Sequence, residues 1–94
     1  GFRLLGINVE DITNKNRRRF SISAETGVVV SQLNPQSSLA EIGARIGDVI
    51  RRINDIPIRS IADFERAIVK YRHKKSIIVL LQRGEQGYYI TVDV

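Results

Sequence analysis

The chain has 94 residues, a formal net charge of +5 and a pI near 10.1. That length supports one hydrophobic core and not a second. The absence of Cys excludes disulfides and thiolate-held metal, and no apolar run approaches the ~20 residues of a bilayer-spanning helix. Fourteen Ile and nine Val favour sheet, because β-branched side chains suit a pleated, half-buried surface. The basic balance raises a nucleic-acid reading. Its residues cluster at Arg17 to Arg19, at Arg51 and Arg52, and at Lys70, Arg72, Lys74 and Lys75. No aromatic residue interleaves the first cluster, and no RNA-binding motif or zinc-finger spacing occurs. Tyr71 sits within the third, but its spacing fits the core face of a helix. The clusters therefore read as solvated loops and strand ends, with nucleic-acid binding kept as an alternative.

In chain order, residues 5–12 are expected to form a strand with Leu5, Ile7 and Val9 on one face. Gly6 interrupts it, and a glycine inside a strand marks a bulge, a bend or a close approach by another backbone. Residues 13–19, "TNKNRRR", are polar without periodicity and read as a loop. "FSIS" (20–23) is expected as a short strand, "AETG" as a turn, and "VVVSQL" (28–33) as a buried strand. "NPQSS" makes a turn, after which Ser37 or Ser38 caps a one-turn helix, "LAEI", ended by Gly43. "ARIGD" is a tight turn with Gly47 at positive φ. "DVIRRIN" (48–54) is a strand, and "DIPI" turns into a short extended piece. The clearest helix runs from Ile61 to about Arg72, with Ser60 as N-cap and Asp63 completing an S-x-x-D capping signal. Ile61, Phe64, Ala67, Ile68 and Tyr71 give it one apolar face. "SIIVLLQ" (76–82) reads as a strand buried on both faces. "RGEQG" is a hairpin turn, and "YYITVDV" alternates with Tyr88, Ile90, Val92 and Val94 on one side. The sum is a small, mainly β, α+β domain: five or six strands curled into a partly open barrel, with one long and one short helix. No cofactor or metal site is visible.

Nothing in the pattern supports catalysis by this chain alone. The one histidine, His73, follows the long helix among cations, with no Asp nearby in sequence to orient it. The serines lie outside any G-x-S-x-G elbow. "GARIGD" lacks the Lys-Ser/Thr of a P-loop. Glu10, Asp11 and Glu25 sit beside polar turns and read as solvated carboxylates.

The specific pattern runs from Gly27 to Phe64, "GVVVSQLNPQSSLAEIGARIGDVIRRINDIPIRSIADF": a strand opened by Gly, an N-P-x-S turn, a one-turn helix, then G-D-V-I, I-N-x-x-P-I and S-x-x-D-F. This resembles the PDZ domains of bacterial proteases, and more narrowly those of Do-like (DegP/HtrA-type) periplasmic serine proteases. "LLGI" near the start is similar to the family's carboxylate-binding loop, and "IIVLLQRGEQGYYITVDV" to its closing hairpin. The likeness covers nearly the whole chain. The early L-G-I-x-V and Arg83-Gly84 after a Leu run look most like the second, C-terminal PDZ of such proteases. The element order fits the circularly permuted bacterial type. Departures fall in turns: Asn34 to Leu39 replace P-G-S-P-A, Ile42-Gly43-Ala44 replace A-G-L, and Asn54-Asp55 replace N-G. The tract Lys15 to Arg19 is also unusually basic.

The resemblance implies a single PDZ domain, residues 1–94, excised from a longer periplasmic protease of protein quality control whose catalytic domain lies elsewhere. It implies that a peptide's C-terminus meets Gly6, where N–H groups of Leu5, Gly6 and Ile7 converge on a carboxylate. Leu4, Leu5, Gly6, Ile7, Asn8 and Val9 would receive the peptide as an added strand. Phe64, Ile68 and Tyr71 would form the facing helical wall, with Phe64 and Ile68 looking into the groove and Ile61 and Ala67 in the core. Implied partners are C-terminal or unfolded-protein peptides, other domains of the same protease and its oligomer, with no nucleic acid and no membrane insertion. A PDZ of an intramembrane or processing protease, or of a secretion component, is the alternative within the family.

Overall fold

The structure, a computed structural model, describes residues 6–93. Six strands and three helices follow in order: β1 (Ile7–Asp11), α1 (Asn14–Arg19), β2 (Val28–Leu33), α2 (Ser38–Ile42), β3 (Val49–Ile53), β4 (Ile56–Pro57), α3 (Ile61–Lys70), β5 (Ser76–Arg83) and β6 (Gln86–Asp93). The strands form one antiparallel sheet in the order β1-β2-β3-β5-β6, with β4 paired to β3. The sheet does not close, as expected for a partly open barrel. β1 and β6 stand at opposite ends of the strand order.

The sheet has a core on each face. The main core takes Val28 and Val30 of β2, Ile50 and Ile53 of β3, Ile77, Val79 and Leu81 of β5, Ile90 and Val92 of β6, and Phe64 and Ala67 of α3. A smaller cluster on the other face joins Val29 and Val49 to Ile22 and Ala24, with Ile12 and Phe20 packed against it. Strand alternation explains the split: Val29 points opposite to Val28 and Val30. Three consecutive valines are buried because the segment after β1 folds back over β2 and β3.

That segment differs from its expected form. "TNKNRRR" is not a loop but helix α1. Thr13 caps it: its hydroxyl accepts from the Asn16 N–H at 3.2 Å, and Asn16 Oδ1 accepts from the Thr13 N–H at 2.7 Å. This reciprocal capping box needs no apolar stripe, so periodicity gave no sign of it. "FSIS" is not a strand: Ser21 has φ 54. The Arg17 guanidinium donates to the Ala24 carbonyl at 2.7 Å and to the Ile22 carbonyl at 3.4 Å. Part of the first basic cluster is thus a clasp on the covering loop rather than a solvated charge.

The turns and caps otherwise follow the sequence. Ser37 caps α2 through the Ala40 N–H, and Gly43 ends it in the left-handed region at φ 107. Gly47 has φ 97. Ser60 accepts from the Asp63 N–H, while the Asp63 carboxylate accepts from the Arg59 N–H. The Arg59 N–H, and after it the Arg66 guanidinium, hold the Asp63 carboxyl below the usual range. α3 ends at Lys70, with Tyr71 as C-cap. β5 is buried on one face only, with Ile77, Val79 and Leu81 inward and Ile78 exposed. The expectation of burial on both faces fails because the loop covering β2 and β3 does not reach it.

Under the β5–β6 hairpin the buried Asp48 carboxylate meets Arg83 through two 2.8 Å bonds, from Nε to Oδ1 and from the second guanidinium nitrogen to Oδ2. It also accepts from the Tyr88 hydroxyl at 3.2 Å and the Arg45 N–H at 2.9 Å. A buried carboxylate is tolerable only when so paired. Burial, then the Asp48 charge, pushes the Tyr88 phenol up. The G-D of the "ARIGD" turn is therefore a structural lock between the turn and the closing hairpin.

Candidate functional site

Among the described residues, β1 is paired on one side only, with β2. It also contacts α3. The two meet at the far end of β1, where Asp11 Oδ1 accepts from the Ile61 N–H at 2.9 Å. This is an unpaired N–H of the first turn of α3, so the carboxylate serves as a second cap beside Ser60. Asp11 was expected to be a free solvated carboxylate. Its partner lies fifty positions away in sequence, so no local pattern could reveal it.

At the near end of β1 stands Gly6, with φ 67. A Cβ built there would lie 2.6 Å from the Ser37 Cβ. The Gly6 carbonyl accepts from the Asn34 N–H at 2.8 Å. The close approach that its sequence position announces thus includes the chain's own "NPQSS" turn, and only glycine combines this conformation with this clearance. Ile7 and Val9 are buried and Asn8 is exposed, as alternation requires. A register shift between Asn8 and Val9 leaves Ser31 as the extra residue of β2, its hydroxyl donating to the Asn8 carbonyl at 3.2 Å. Leu4 and Leu5 lie outside the described residues.

On α3, Phe64 and Ala67 are fully buried in the main core, while Ile61, Ile68 and Tyr71 are half-buried against it. Of the three helical residues expected to face a ligand, Ile68 and Tyr71 keep accessible surface and Phe64 has none. Tyr71 is also anchored, its hydroxyl donating to the Asp55 carboxylate in the β3–β4 turn. That bond holds the Asp55 carboxyl below the usual range and the Tyr71 phenol above its own.

The other face of β1 carries a polar hollow lined by Asn8, Glu10, Arg19, Phe20, Ser31 and Gln32, with the Asn8 amide donating to Gln32 Oε1. His73 is exposed, and its Nε2 accepts from Arg72 Nε at 3.3 Å. No cluster of three metal-ligating side chains occurs among the described residues. The site thus combines an edge strand, a helix in contact with it whose Ile68 and Tyr71 keep accessible surface, and a glycine turn at one end.

Comparison with known proteins bears on this geometry. The chain is 33% identical over 89 residues to the periplasmic serine endoprotease DegP of Salmonella typhimurium, covering 94% of this chain and 17% of that protein. It is 32% identical over 91 residues to a probable periplasmic serine protease do/HhoA-like of Haemophilus influenzae, covering 97% of this chain and 20% of that one. The chain thus spans about a fifth or less of these relatives. Two solved structures share the fold. One is the HtrA3 PDZ domain bound to a phage-derived ligand, with TM-score 0.75, 20% identity, and coverage of 95% of this chain and 81% of that one. The other is the HtrA-type protease AlgW with a decapeptide, with TM-score 0.74, 22% identity, and coverage of 95% and 27%. The family model described as PDZ domain matches residues 4–94, and the chain belongs to the PDZ domain family.

Proposed function

We propose that the groove between β1 and α3 takes the C-terminus of an extended peptide as an added strand, and that the domain serves as the peptide-binding, regulatory or assembly module of a periplasmic serine endopeptidase. The carrying observation is β1 itself, hydrogen-bonded to one neighbour strand among the described residues and in contact with α3. Main-chain bonds along Ile7 to Asp11 would hold the peptide, and Gly6 would shape the turn that receives its carboxylate. Ile68 and Tyr71 would contact its apolar side chains, with Phe64 as the buried floor. Structures of the same fold, one with a phage-derived ligand and one with a decapeptide, support this reading. The names of the relatives support a periplasmic location and a protease context.

The test is a titration with paired peptides that end in an apolar residue, one with a free carboxylate and one amidated. The acid should bind at roughly micromolar Kd, about −8 kcal/mol. The amide lacks the charge that the turn is shaped to receive and should bind about tenfold more weakly or worse. Equal curves would refute the carboxylate site.

A further inference from the structure

We propose that Arg83 is a positioning residue for the turn at Gly6, acting through helix α2 and without touching the peptide. This role rests on the reading of that turn as the seat of a peptide's carboxylate.

Helix α2 links the two places. Its N-cap, Ser37, is the residue whose Cβ bars any side chain at Gly6. Ser37 is tied in turn to Asn34: its N–H and its hydroxyl both donate to the Asn34 carbonyl, at 2.9 and 2.6 Å. The Asn34 N–H closes the circuit on the Gly6 carbonyl. At the other end of α2, the Gly43 carbonyl accepts from the Arg83 guanidinium at 3.0 Å. The donor is the same nitrogen that holds Asp48 Oδ2 at 2.8 Å and reaches the Tyr88 hydroxyl at 2.7 Å. Asp48 is the fixed side of this contact, since it is buried and its own carbonyl accepts from the Val30 N–H of β2 at 2.8 Å.

α2 needs holding at both ends. It has five residues, about 8 Å of helix at 1.5 Å per residue, and only Leu39 among them is buried. A rod pinned at one point can tilt about it. The Arg83 bond stops the tilt at Gly43, and a cation there also suits the negative end of the helix. What a tilt would move is Ser37, and with it the Gly6 turn. Hydrogen bonds weaken steeply as their angles depart from straight, so N–H groups that converge on a carboxylate depend on that seat. Arginine fits the task by its reach. Lysine ends where the guanidinium carbon stands, one bond short of the nitrogen that meets Gly43. It would keep the charge beside Asp48 and lose the carbonyl of α2. Asp48 would retain the Arg45 N–H and the Tyr88 hydroxyl, so Arg83→Lys should fold.

The test is Arg83→Lys in the 94-residue chain, with circular dichroism to check its fold. It is titrated with paired acid and amide peptides that end in an apolar residue. In the parent the acid should bind about tenfold more tightly than the amide, or better. In Arg83→Lys that ratio should fall to about threefold or less, through loss of acid affinity, with the amide changing by less than about twofold. A role in stability alone would weaken both peptides together or neither. Arg17→Lys is the control, since Arg17 also reaches more than one acceptor, the Ile22 and Ala24 carbonyls, and it should keep the parent's ratio. Hydrogen exchange gives a second readout that needs no peptide. The Asn34 N–H should exchange at least about tenfold faster in Arg83→Lys than in the parent, and no faster in Arg17→Lys. A parent without acid preference would overturn the carboxylate turn, and this role with it. A parent with the preference, beside an Arg83→Lys variant that keeps the full ratio or unchanged Asn34 exchange, would overturn the role of Arg83 alone. An equal loss of ratio in Arg17→Lys would do the same.

Discussion

At the scale of single residues, the bond between Tyr71 and Asp55 has two ends that titrate in opposite directions. The Asp55 carboxyl lies below its ordinary 3.8 in the folded chain, because the Tyr71 hydroxyl donates to it. Its contribution to stability is therefore complete above 3.8 and lost as pH falls through the depressed folded value. The Tyr71 phenol lies above its ordinary 10.0 through the same bond. Its contribution is complete below 10.0 and lost as pH rises through the raised folded value. Tyr71→Phe should lower the melting temperature near neutral pH, and its gap to the parent should narrow at both extremes. A gap that is constant across the whole range would show that the bond contributes nothing. Spacing placed Tyr71 on the right helix face, but its tie to Asp55 joins two turns and has no sequence signature. Gly6 was legible as a site of close approach, since glycine interrupting branched residues has few other uses. That its neighbour includes the Asn34–Ser37 turn was not, because the contact depends on how α2 is seated.

At the scale of elements, α3 was readable nearly to its ends because two independent signals agree: a Ser60–Asp63 cap and apolar residues at helical spacing. The burial of its face could not be graded from that spacing. Ile61 was expected in the core beside Ala67 and is only half-buried, whereas Phe64 is sealed in. Helix α1 and the loop after it were misread for a related reason. Their stability comes from a capping box and an arginine clasp, neither of which generates periodicity. The apolar run of β5 was overread, since length and hydrophobicity do not tell whether a second layer exists. The gradation on α3 yields a prediction. Ile68→Ala removes a half-buried side chain and should cost less than about 2 kcal/mol of folding stability, while Ile53→Ala, from a fully buried position, should cost about 2–5 kcal/mol. Ile68→Ala should weaken a C-terminal peptide by about 5- to 30-fold, equivalent to roughly 1–2 kcal/mol of lost apolar contact. Ile53→Ala should leave intrinsic affinity nearly unchanged. Denaturant unfolding and peptide titration on both variants check this. A core-sized loss at Ile68 with normal peptide binding would move it from wall to core.

At the scale of the molecule, only β3–β4 and β5–β6 are joined by tight turns, the other pairings spanning helices or long loops, so the family resemblance and not local turn signals anticipated the partly open barrel. The sheet then divides its work by position. β1 stands at one end in contact with α3, and the Asp48–Arg83 lock ties the "ARIGD" turn to the closing hairpin at the other end. The bond from Ile61 to Asp11 Oδ1 has one more consequence for this layout. It stitches strand to helix where β1 stops, so the proposed groove would be shut at that end. A slot closed at one end is a ruler. β1 offers five residues, Ile7–Asp11, and a peptide entering by its carboxylate should run out of partners at the stitch. Affinity should therefore climb as a C-terminal peptide is lengthened to about five residues and then level off, since added residues gain no strand contacts. Asp11→Ala removes the stitch at an exposed site, costing about 1 kcal/mol of stability, and should let longer peptides keep gaining. Titration of a length series against both proteins reads this directly. A parent whose affinity keeps rising well past five residues would show that the domain does not measure its ligand.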